Sequence, residues 1–138
     1  MIRKLLDKKD IKYKYVEDAL ENVSMCFTNF ESEANRIIPF VFLENKDMKS
    51  FSLYIPEIIE FNESDRLKMI ELINDENCLM IHGTYFIRSN QNSISYRLSQ
   101  SLENNSKLTQ SQLEDYIDVA LFSADNIIDI IGEIDEDF

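Results

Sequence analysis

The residues best suited to chemistry are few and scattered. His82 is the one histidine, and Cys26 and Cys78 are the two cysteines, in 138 residues. A nucleophile–base pair would need His82 beside a serine or cysteine held on a sharp turn, and no G-x-S-x-G or comparable segment presents one. Structural zinc would need local pairing such as C-x-x-C, whereas these cysteines stand alone. They read as small buried hydrophobes of a reducing compartment. Asp125 with Asp129, and Glu114 with Asp118, lie four apart and share a helix face. No D-x-[DN]-x-[DN]-G loop gathers acids for calcium, and both pairs read as a solvated face. Equally wet carboxylates do not split their pKa values for acid–base work. The run Asp135-Glu136-Asp137 would condense cations only weakly. Gly83 and Gly132 are the only glycines, so no phosphate-cradling loop exists. The expectation is no enzyme, no cofactor and no metal.

The elements that would position any site follow from periodicity. Ile2, Leu5 and Leu6 give a short first helix, ending near Asp10, an apolar edge. Tyr13 to Asp18 extends as a strand or an approach to one. Val23, Met25 and Phe27 alternate with polar or small neighbours, the mark of a half-buried strand. Residues 37–43 are apolar on both faces and belong deep in the sheet, with Pro39 at a strand start, bulge or edge-facing position. Phe51, Leu53 and Ile55 make another strand, stopped by Pro56. A helix from Asn62 or Ser64 to about Asn77 carries Leu67, Ile70 and Ile73 as its stripe. Met69 and Leu72 form a second apolar edge, which a helix packing only on its own sheet does not require.

The last third predicts a hairpin from Cys78 to Leu102, turning at Asn90-Gln91-Asn92. A long helix follows over Thr109–Ile131. Thr109 and Gln112 open it as a capping box, and Gly132 closes it. Tyr54, Phe86 and Phe122 fall off the main stripes, and exposed apolar side chains rimmed by acids mark protein-binding surfaces.

Net charge is −12. Residues 1–14 carry six cations against Asp7 and Asp10, whereas residues 107–138 set Lys107 against nine acids. A surface this negative repels phosphate backbones, which argues against nucleic acid. The basic opening reads as a solvated face. It has no apolar h-region, so no signal peptide is expected, and no apolar run reaches the ~18 residues of a spanning helix. The expected location is the cytoplasm.

The segments IRKLLDKKDIKYKYVEDA, RLKMIELINDENCLMIHGTYFI and LTQSQLEDYIDVALFSADNIIDII, with the step Ala120, Ala124, Asp125, resemble the YbjN family of small bacterial proteins. The resemblance covers residues 1–132. It implies an α+β fold like that of type III secretion chaperones, self-association, and a role as sensory-transduction regulator. It carries over no catalytic residue.

These readings give an α+β domain over residues 1–132 with an acidic tail at 133–138. An antiparallel sheet of about five strands, in the order α-β-β-β-α-β-β-α, carries helices packed on it. The expected function is a non-enzymatic regulatory module that binds protein as a homodimer, docking through Met69 and Leu72. The alternative is an acidic secretion-type chaperone that holds an extended client segment.

Overall fold

The computed structural model describes residues 1–136. Helix α1 (Ile2–Lys8) leads into four successive strands: β1 (Lys14–Asp18), β2 (Val23–Glu31), β3 (Ile37–Asn45) and β4 (Ser50–Glu60). Helix α2 (Arg66–Leu79), β5 (Thr84–Phe86), β6 (Ser93–Ser101) and helix α3 (Gln110–Glu136) follow. The six strands form one antiparallel sheet in the order β1-β2-β3-β4-β6-β5. The expected α+β class is therefore observed, with one strand more than expected, since β1 is a full member of the sheet. Both β4 and β5 run antiparallel to β6. They are thus parallel to each other, and α2 supplies the long crossover that a parallel relation needs.

A chain with two glycines must turn by other means. Each of the three connections in the β1–β4 meander holds one residue in the left-handed region: Asn22, Asn35 and Lys49. Asparagine tolerates that conformation better than other non-glycine residues because its short amide bonds to nearby backbone.

One face of the sheet holds the core. Cys26, Phe40, Phe42, Leu53, Ile55 and Tyr96 point into it and are almost fully buried. The helices close over them with Leu6 of α1, Met69 and Ile73 of α2, and Leu113, Ala120, Ala124 and Ile127 of α3. The two alanines let α3 approach β4 and β6 closely. Phe40, Phe42 and Phe51 form a run of neighbouring rings that ends on Tyr116 of α3.

Several expectations change. On β2 the core residue is Cys26, so Val23, Met25 and Phe27 face the other way. β3 is buried on one face only, and Ile37 stays 65% exposed. Pro39 meets its expected requirement, because β3 pairs with β4 only from Val41 onward and leaves that side of Pro39 unpaired. β4 continues past Pro56 across an irregularity between Ile55 and Ile59.

The hairpin does not begin at Cys78, which ends α2 with Leu79; Leu79 and Ile81 are exposed. β5 starts at Thr84 because Asn77 grips Tyr85, accepting from its N–H at 2.8 Å and donating to its C=O at 3.0 Å. Gly83, at φ +80°, sits so tightly on Tyr96 that an added Cβ would lie 2.0 Å from the Tyr96 hydroxyl oxygen. The expected turn region is held by Arg66, whose guanidinium donates to the C=O groups of Gln91 and Arg88 and to Asn92 Oδ1. The capping box of α3 forms: Gln112 N–H donates to Thr109 Oγ1 at 3.1 Å, and Thr109 N–H donates to Gln112 Oε1 at 3.0 Å. Gly132 does not end α3, which continues to Glu136. Asp137 and Phe138 lie outside the described residues.

Candidate protein-binding surfaces

Side chains alternate along a strand, so the residues between the core positions form a second face. Its central cross-strand row reads Lys14, Phe27, Val41, Tyr54, Arg97. The adjacent row reads Val16, Met25, Leu43, Ser52, Ser99. Ile37 and Pro39 extend the face along β3, and on β5 Thr84 lies beside Arg97 and Phe86 beside Ser95. Val16, Met25, Val41, Leu43, Tyr54 and Phe86 are half-buried by their own neighbours yet stand outside the core cluster. Phe27 remains 38% exposed. Among the described residues all three helices pack on the opposite side, and none lies over this apolar surface. Contiguous apolar patches on a protein surface are candidates for interaction sites.

A second exposed surface lies on α2, but not where the apolar pattern placed it. Met69 is 4% exposed and belongs to the core, and Leu72 packs against that core half-buried. The expected docking edge of Met69 and Leu72 is therefore corrected, because these two residues join Ile73 in facing the sheet. Leu67, at 69% exposure, and Ile70, at 41%, point outward, with Cys78, Leu79 and Ile81 further along. α2 is apolar on more than one side, and periodicity alone cannot choose which side meets the sheet.

The candidate chemical residues separate. Cys26 is buried, and that burial raises its thiol pKa; Cys78 is exposed. His82 is exposed in the link before β5, and its C=O accepts from the Tyr96 hydroxyl at 3.3 Å. Tyr85 is buried and donates to Ser123 C=O at 2.6 Å, and burial pushes its pKa to about 12. Among the described residues no group of three or more His, Cys, Asp or Glu is placed to hold a metal ion. No described helix is long and apolar enough to cross a membrane.

The acids of α3 do more than line a wet face. Arg36, in the β2–β3 connection, donates to Asp125 Oδ1 at 2.9 Å and to Asp129 Oδ1 at 3.0 Å. Ser32 Oγ and Ala34 N–H also donate to Asp125. Burial alone would raise the Asp125 carboxyl, but hydrogen bonds from Arg36, Ser32 and Ala34 outweigh it and hold the group below its usual range. This strap ties the far end of the β2–β3 hairpin to α3. Its acids were visible in the sequence; Arg36, some ninety residues away, was not. Glu114 pairs with Lys9, which holds its carboxyl down and joins the start of α3 to the end of α1.

The match to the YbjN family, described as "putative bacterial sensory transduction regulator", extends over residues 1–133. The chain belongs to the YbjN family. The YbjN match thus takes in every strand and most of α3. Among solved structures the chain is similar to the "crystal structure of YbjN, a putative transcription regulator from E. coli", at 13% identity and a TM-score of 0.46. That similarity covers 91% of this chain and 89% of the other. A search of the curated proteins gives no match.

Proposed function

We propose that this YbjN-family chain is a single-domain regulatory module that acts in the cytoplasm, binding protein as a homodimer and catalysing no reaction. The observation that carries the reading is the helix-free sheet face, where Phe27, Val41 and Tyr54 stand side by side outside the core. A reaction needs convergent polar groups in an enclosed site, whereas an interface needs area, apolar centre and polar rim. This face supplies the second set. Two unpaired cysteines agree with a reducing compartment. The test is the mass of the purified chain by light scattering over a concentration series. A dimer that persists on dilution supports the reading, and a monomer throughout contradicts it.

A second reading is the secretion-type chaperone, favoured by one observation. β5 pairs only with Ser95–Arg97, so among the described residues the outer edge of β6 from Leu98 to Ser101 has no strand beside it. An extended client segment adds to such an edge through main-chain hydrogen bonds. Fluorescently labelled unstructured peptides that bind the chain, where folded proteins do not, would favour this reading over the regulator.

A further inference from the structure

We infer that the helix-free face is where a second copy of this chain docks, in a two-fold dimer whose sheets cross at roughly 90°. The inference rests on the self-association proposed above and adds the surface and its geometry.

Charge selects the occupant. At a net −12, two copies repel wherever acid meets acid. The strand residues on this face set Lys14 and Arg97 against Asp18, Glu31 and Glu60, so the face carries a net −1. The outer stripe of α2, the other exposed apolar surface, is flanked by Glu63, Asp65, Glu71 and Asp75 against Arg66 and Lys68, a net −2. A second copy meets less repulsion on the sheet.

Extent agrees. From strand spacing and rise, the face spans about 20 Å across the strands and 25 Å along them, roughly 500 Å² in plan. Side-chain relief brings this towards the ~800 Å² per partner of a standard interface.

The layout of charge fixes the crossing. Lys14 and Arg97 stand towards the two sides of the sheet in the central row, whereas Asp18 stands towards one end of the strands and Glu31 and Glu60 towards the other. A two-fold axis lying between the faces, diagonal to the strands, exchanges those two directions. It brings Arg97 of one copy over the strand end of the other that carries Glu31 and Glu60, twice. Among the described residues, the side chains of Arg97 and Glu31 make no hydrogen bond or ion pair within the chain. Glu31 sits at the corner where this face meets the cleft beside α3.

The test is sedimentation velocity on the full chain over a wide concentration series, with circular dichroism melts to confirm folding. Phe27→Asp, at a central and partly exposed position, is expected to weaken the dimer roughly 30-fold or more, as removal of an interface anchor does. Arg97→Glu and Glu31→Arg, both on the rim, are each expected to weaken it, and the double variant to recover most of the loss. Recovery supports the crossed geometry. Single losses without recovery overturn it. A dimer insensitive to all three but dissociated by Ile70→Asp overturns the surface and leaves the self-association standing. A wild-type monomer at every concentration overturns both.

Discussion

The two faces of this sheet come from the same six strands and meet opposite fates. One carries Phe42, Leu53 and Ile55, fully buried beneath three helices. The other carries Val41, Leu43 and Tyr54 from the same two strands, shifted by one residue, half-buried and uncovered. Composition does not separate them, since β3 is apolar on both sides. What separates them is the stock of helical surface: α1, α2 and α3 all pack on one side. A sheet with two apolar faces and helices for one is left with a surface to cover.

The comparison extends to α2, and there the largest effect is expected. Met69→Asp buries a charge with no partner and should leave the chain unfolded, since such burial costs about 3 kcal/mol or more. Ile70→Asp, one residue away and facing out, should leave the melting temperature almost unchanged. Equal melting curves for the two variants would show that α2 is rotated from the orientation described.

The sheet faces predict a similar, slightly smaller contrast. Leu53→Ala should cost about 3 kcal/mol, within the range for a fully buried leucine. Val41→Ala, beside it on β3 and outside the core, should cost about 1 kcal/mol or less in the dissociated monomer. Urea unfolding of both variants at low protein concentration measures the difference.

Sealing of the covered face depends on Gly83. Its φ of +80° and its contact with Tyr96 both oppose a side chain, so Gly83→Ala should destabilise by about 2 kcal/mol. A Gly83→Ala, Tyr96→Phe double variant should recover part of that loss if the hydroxyl contact contributes, which thermal melts would detect.

The smallest effect belongs to the strap that ties the β2–β3 connection to α3. Asp125→Asn should cost about 1 kcal/mol at neutral pH, a charge-assisted pair discounted for its partial exposure. Because the folded chain holds the Asp125 carboxyl below its ordinary 3.8, its contribution is complete above that value. It is lost as pH falls below 3.8 through the lower folded value. Wild type and Asp125→Asn should therefore differ in stability at pH 7 and converge under strong acid. A gap that persists in acid would assign the effect to packing rather than to charge.

The legible parts of the fold were those with local causes. The capping box of Thr109 and Gln112 announces α3 because its two hydrogen bonds join residues three apart. Alternation located β2, β4 and β6, the apolar run of residues 37–43 located β3, and the Ile2–Leu6 edge located α1. The illegible parts had distant causes. Asn77 sets where β5 starts by gripping Tyr85, and nothing in the run of residues 79–87 reports that. Which side of α2 faces inward is decided by the sheet, so Leu67 and Ile70 passed for core while Met69 passed for interface. Alternation told that β2 has two faces, but Cys26 rather than the larger Met25 and Phe27 took the core, since the helices lie on its side. For the candidate surface, the residue types were readable and their cross-strand row was not. Phe27, Val41 and Tyr54 become neighbours only through the register of three strands.

The central claim, that a second copy covers the helix-free face, meets its most direct test in thiol cross-linking. In a Cys78→Ser background, Val41→Cys places a thiol at the centre of the face, and Leu67→Cys places one on the outer stripe of α2. A short bis-maleimide should convert the Val41→Cys chain to a covalent dimer at concentrations where the Leu67→Cys chain stays single. Cross-linking through Leu67→Cys with none through Val41→Cys would contradict the account.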